Sequence, residues 1–218
     1  MRARTLSALA LAPTLAALSL LPAAADAHPK HDDGFSAEDG WSVIDDKLAI
    51  PAGEVCSGKV IFHYWGHERT LVKGEHGYQP VTDPEFVPQA GDRTKAESAD
   101  TQFTLKAVKS GKRVHRDADG EFYEKVTRDG NDLRSVGVGA NVYFGPGIKG
   151  ILWADGIQKL RVENFMENPV LTQFRIKRGK AQELCHSVGL KPVDLRHSDE
   201  QPDLVPIEHP EHVEPVTD

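Results

Sequence analysis

Histidine is the residue type in this chain best suited to metal chemistry, and His28 falls where a new N-terminus is expected. Arg2 and Arg4 precede an apolar run from Leu6 to Leu21, and Ala25-Asp26-Ala27 supplies a cleavage motif, so residues 1–27 read as a signal peptide. Cleavage after Ala27 would leave His28 with a free α-amine beside its imidazole Nδ1, two nitrogens that suit copper(II). His31 offers a third nitrogen, as do His63, His67 or His76 across space. His28 and His31 are therefore the candidate metal ligands, with copper as the candidate cofactor. The plain alternative is a solvated leader and no cofactor, because a terminal histidine alone is a weak motif.

The remaining chemistry-bearing groups have ordinary explanations. His63 and His67 are four apart, which on a strand spreads them by ~13 Å. His67-Glu68 lacks the second histidine of a zinc-protease motif, since Leu71 holds that place. Asp117-Ala118-Asp119-Gly120-Glu121 has its glycine too early for a calcium loop and reads as a hairpin turn. No Gly-x-Ser-x-Gly elbow surrounds Ser57, Ser110 or Ser135. Tyr64, Trp65, Tyr78, Tyr143 and Trp153 could form an aromatic platform for sugar, although core and strand-edge packing explain most of them. His197, His209 and His212 stand among carboxylates near the C-terminus, a composition that collects divalent cations weakly. No catalytic residue is assigned.

The two cysteines, Cys56 and Cys185, form the only available pair. Export to an oxidising compartment favours joining them as a staple. No C-x-x-C spacing suggests redox activity.

The elements that must position these groups read as strands. Thr101–Val108 places Phe103, Leu105 and Ala107 on one face, and Glu121–Thr127 does the same with Phe122 and Val126. Lys59–Trp65 and Arg69–Lys73 read as a hairpin about Gly66-His67-Glu68. Leu133–Phe144, Ile151–Ala154, Gln158–Phe165 and Val170–Lys177 extend the series, punctuated by Ser110-Gly111, Asp119-Gly120, Asp129-Gly130-Asn131, Gly145-Pro146-Gly147 and Asp155-Gly156. Gly74–Asp100 reads as a long loop and Ala181–Val188 as one or two helical turns.

The expectation is an all-β domain over residues 41–189, an antiparallel β-sandwich or flattened barrel of about nine strands with a short C-terminal helix. A flexible leader, 28–40, precedes it. The segment 190–218 is acidic and proline-rich, and reads as a disordered tail.

The order of the pieces adds a resemblance. Ile50-Pro51-Ala52-Gly53-Glu54-Val55-Cys56, the Lys109-Ser110-Gly111-Lys112 turn and the close Gly179-Lys180-Ala181-Gln182-Glu183-Leu184-Cys185 follow one pattern. It resembles a group of small secreted actinobacterial proteins, mostly of unknown function, over Ile50–Gly189. Their pattern is a Pro-Ala-Gly-x-x-Cys opening and a Gly-x-x-x-Asp-x-Cys ending, where Glu183 here replaces the aspartate. The resemblance implies a secreted, disulfide-closed β domain and carries no catalytic residues.

Composition bounds the partners. The 218 residues carry a net charge of −7, which argues against nucleic acid or an anionic membrane as the main partner. Lys191–Asp218 holds eight acidic residues against two basic ones, so the acidity is concentrated there and the domain is close to neutral. Taken together, the sequence points to an extracellular, non-enzymatic binding module for a small molecule, a glycan or a protein. It would have no membrane span after signal cleavage. The alternative is a copper-binding protein or copper-dependent redox enzyme built on His28.

Overall fold

The computed structural model describes residues 34–83, 86–165 and 167–207. The expected signal segment, His28, His31, His209 and His212 lie outside them. The described chain is all-β. Ten antiparallel strands form one sheet in the order β10-β1-β2-β4-β6-β7-β8-β9, with β3 on β2 and β5 on β4. They are β1 Ser42–Ile50, β2 Val60–Gly74, β3 Gly77–Pro80, β4 Arg93–Ala107 and β5 Arg113–Asp117. β6 Gly120–Val126, β7 Asp132–Tyr143, β8 Leu152–Glu163, β9 Val170–Glu183 and β10 Val205–Pro206 complete the set. The sheet path does not close into a barrel. One helical turn, α1 Leu184–Ser187, follows β9, and Glu183 caps it by accepting from the Cys185 and His186 backbone N–H groups. No helix among the described residues is long and apolar enough to cross a membrane.

Several strands are longer than the sequence suggests, because glycines there mark bends rather than turns. Gly66 lies inside a continuous β2, where φ is 141° and a Cβ would stand 2.5 Å from Thr101 Cα. The expected hairpin is instead a bulge, with the β2–β4 register shifting between Trp65 and His67. Asp155-Gly156 likewise falls inside β8. There Gly120, Gly139, Gly156 and Gly179 stand directly opposite one another on β6, β7, β8 and β9. A Cβ on Gly156 would meet Arg178 O at 2.1 Å. This glycine stripe is a crease that lets four strands bend together.

The expected loop over Gly74–Asp100 contains β3 and the first half of β4. Its alternation was hidden because the inward positions are Thr94, Ala96 and Ser98, small or polar, while Arg93, Lys95 and Glu97 face outward. Two cores result. The first gathers Phe62, Phe103, Leu105, Trp153 and Leu184 around the Cys56–Cys185 disulfide, whose Cα atoms are 5.6 Å apart. The second gathers Phe122, Val126, Leu133, Tyr143, Leu160 and Leu171. On β7 the crease changes what each face meets. Ala140 faces the first core, whereas Arg134, Val136 and Val138 of the same parity face solvent.

The ends adjoining the domain are tied to it. In the expected leader, Phe35 stacks on His67 at 4.3 Å between ring centroids. In the expected tail, Pro192 bridges Cys56, Asp194 bridges Lys149, and β10 pairs with β1. Leu195 and Leu204 pack against the first core. These apolar residues offset the ordering entropy that the segment's charge and proline content alone would leave unmatched.

Candidate anion-binding face

The solvent face of β4, β6, β7, β8 and β9 beyond the crease is the distinctive surface of the molecule. Period-2 alternation sends Phe122, Glu124 and Val126 of β6 into the second core and leaves Tyr123 and Lys125 outside. The same alternation exposes Arg134 on β7, Lys159 on β8, and Arg175 and Lys177 on β9.

Register then lines these cations up. Arg93 stands opposite Lys125, Lys125 opposite Arg134, and Arg134 opposite Arg161, a row of four cations on four adjacent strands. The next row runs Lys95, Tyr123, Val136, Lys159, Arg175. Together with Tyr78 these residues, Lys95 excepted, line an open groove of about 1040 Å³. Tyr78 and Tyr123 meet edge to face at 6.5 Å.

Part of this charge is neutralised within the face. Arg161 Nη2 lies 2.7 Å from Asp132 Oδ2 and 3.4 Å from Glu163 Oε1. The hydrogen bond and charge of Asp132 raise the guanidinium pKa. Lys95 is bound by Glu97 and Glu121, and these bonds outweigh its desolvation to raise its pKa. Tyr123 donates to Glu121 Oε2 at 2.7 Å, and that bond raises its phenol pKa. Among the described residues, Arg93, Lys125, Arg134, Lys159, Arg175 and Lys177 have no carboxylate within 4.0 Å. Six unneutralised cations on one sheet face make a local positive field inside an acidic chain.

The residues singled out from sequence do not gather. His63 is held by Asp45 at 2.6 Å on the outer face of β1 and β2. His67 stacks on Phe35, and His76 lies in the turn between β2 and β3. No three His, Cys, Asp or Glu side chains among the described residues form a metal-holding group. Asp119 Oδ1 accepts from Thr101 N at 2.6 Å, a structural role at the crease. Ser57 accepts from Lys191 N, Ser110 from Lys112 N, and Ser135 is buried in β7. The aromatic residues separate too. Tyr64 and Tyr143 are core, Trp153 donates to Asp117 O, and Trp65 lies between His63 and His115.

The basic face was missed from sequence, although a signal for it exists. Arg93-x-Lys95, Lys159-x-Arg161 and Arg175-x-Lys177 each place two cations on one side of a strand. No protein-family model matches the chain, and neither does any curated protein or solved structure.

Proposed function

We propose that this chain is a non-enzymatic binding protein of the extracellular or cell-envelope compartment, and that the basic groove over β4 and β6–β9 receives an anionic ligand. The observation that carries this reading is the row Arg93, Lys125, Arg134 and Arg161, directly opposed across four strands. Like charges in direct cross-strand contact destabilise a sheet, so folding alone gives no reason for the row. An anion that neutralises it does. The signal-like N-terminus and the buried disulfide support an oxidising destination.

Net charge is a poor guide to partners here. The net negative charge is concentrated after Gly189, and the candidate face is cationic. Retention of the chain on an anionic resin at low salt, with elution as salt rises, is the expected result. Passage of the chain through that resin without delay at low ionic strength would sink the reading.

A further inference from the structure

Resting on that binding-face reading, we infer that the ligand is a linear acidic glycan, lying across the strands along the row Arg93, Lys125, Arg134, Arg161. Strands stand ~4.8 Å apart, so three intervals make this track ~14 Å long. A single phosphate or carboxylate touches two neighbouring cations of such a row and leaves the others unmatched. A chain with charges at intervals matches Arg93, Lys125 and Arg134 together and ends beside Arg161, whose guanidinium Asp132 already holds. Arg93 and Arg134 have no carboxylate beside them among the described residues, and the planar guanidinium fork pairs with carboxylate, sulfate or phosphate oxygens in two bonds at once.

The second row supports a sugar backbone. Two residues further along the strands lie Tyr123, half-buried Val136 and Lys159, followed by Val138 and Ile157, which are 41% and 36% exposed. This apolar strip beside the cations suits the flat, carbon-rich faces of sugar rings. Tyr78 and Tyr123 stand at the β3–β6 end, where a ring can lie on an aromatic surface.

Single-stranded nucleic acid fits less well. Such ligands are held by aromatic side chains interleaved with the cations, one stacking on each base. Beyond Tyr123, the outward positions are Arg134, Val136 and Val138 on β7, Ile157, Lys159 and Arg161 on β8, and Gln173, Arg175 and Lys177 on β9. None is aromatic.

The test is calorimetric titration of the disulfide-intact chain with galacturonate and heparin-derived oligomers of increasing length, against free galacturonate, inorganic phosphate and an oligo-dT of equal charge. Affinity should rise at least about tenfold from dimer to hexamer in one glycan series, then level off once the row is covered. Neutralising three charges predicts a slope of about −2 to −3 for log affinity against log salt. Arg93→Gln with Arg134→Gln should lower hexamer affinity about tenfold or more while thermal unfolding shows the fold intact. Phosphate binding as tightly as the hexamers would overturn the polymer inference and leave the anion-binding reading standing. Oligo-dT binding tighter than every glycan would overturn the glycan assignment in the same way. Failure of every anion to bind at low salt would remove both.

Discussion

Arg134 stands directly opposite Lys125 across the β6–β7 ladder, and both side chains are exposed on the same face. Arg93 and Arg161 continue the row on either side, and among the described residues only Arg161 has carboxylates beside it. A directly opposed like-charge pair costs a sheet about 0.2–1 kcal/mol. Arg134→Gln should therefore stabilise the fold by about that amount at low ionic strength, the gain shrinking as salt screens the row. The same substitution should weaken binding of anionic oligomers. Denaturant unfolding at two salt concentrations, paired with the titration, checks both. A variant less stable than wild type and unchanged in binding would show that the row has no ligand role.

Beneath the groove, Glu124 points into the second core, where Thr94 Oγ1 donates to its Oε2 at 2.9 Å and its Oε1 has no hydrogen-bond partner among the described residues. Burial pushes the carboxyl up to about 7 from 4.5, against the lowering effect of the Thr94 bond. The folded form thus holds a proton that the unfolded chain releases near the ordinary carboxyl range. This contribution to stability is complete below about pH 4.5 and is lost as pH rises through about 7. Glu124→Gln should match wild type near pH 4 and exceed it at pH 8 by up to about 3 kcal/mol. Unfolding free energies measured across that range test it, and parallel profiles for the two proteins would contradict the buried-acid account. Glu68, pushed up to about 8 first by burial and then by Asp46, should add a similar dependence reaching higher pH.

The two periodic strands most visible in the sequence, the second half of β4 and β6, were legible because large apolar residues alternate there with polar ones. The first half of β4 was not, since Thr94, Ala96 and Ser98 fill the inward positions with little apolar contrast. Gly66 shows a different limit. A glycine at a turn and a glycine at a bulge look alike locally, and what separates them is the approach of Thr101, 2.5 Å from where a Cβ would lie. The candidate face was hidden for a related reason. Each cation is an unremarkable solvent-facing residue on its own strand, and only register assembles them into a row. The disulfide, by contrast, needed no geometry, because two cysteines admit one intramolecular pairing.

The crease gives a sharp stability contrast. At Gly156, φ is 125° and a Cβ would fall 2.1 Å from Arg178 O, a backbone atom with no rotamer to move into. Gly156→Ala should cost several kcal/mol, roughly 3 or more, through combined backbone strain and steric overlap. Gly74→Ala is the control, because nothing stands closer than 3.9 Å to its Cβ and its φ is not in the left-handed range. That change should alter stability by about 0.5 kcal/mol or less. Equal midpoints for the two variants in thermal unfolding would mean that the glycine stripe does not shape the sheet.

Cys56 and Cys185 are both at 0% exposure in the first core, separated by 129 residues in sequence and joined across the domain. Cys56 follows β1, while Cys185 sits in α1, and Pro192 beyond the helix forms a bridge back to Cys56. The bond therefore restrains the unfolded chain over most of its length and ties the segment after β9 to the sheet. Replacing both with alanine should cost about 2–5 kcal/mol, most of it from the larger entropy of the unfolded chain. The burial of both sulfurs adds a kinetic expectation. Reductant should leave the bond intact under native conditions and break it only once denaturant opens the core. Thiol labelling after timed exposure to reductant, with and without denaturant, checks this. Equally fast reduction in both conditions would show that the first core opens locally without unfolding the sheet.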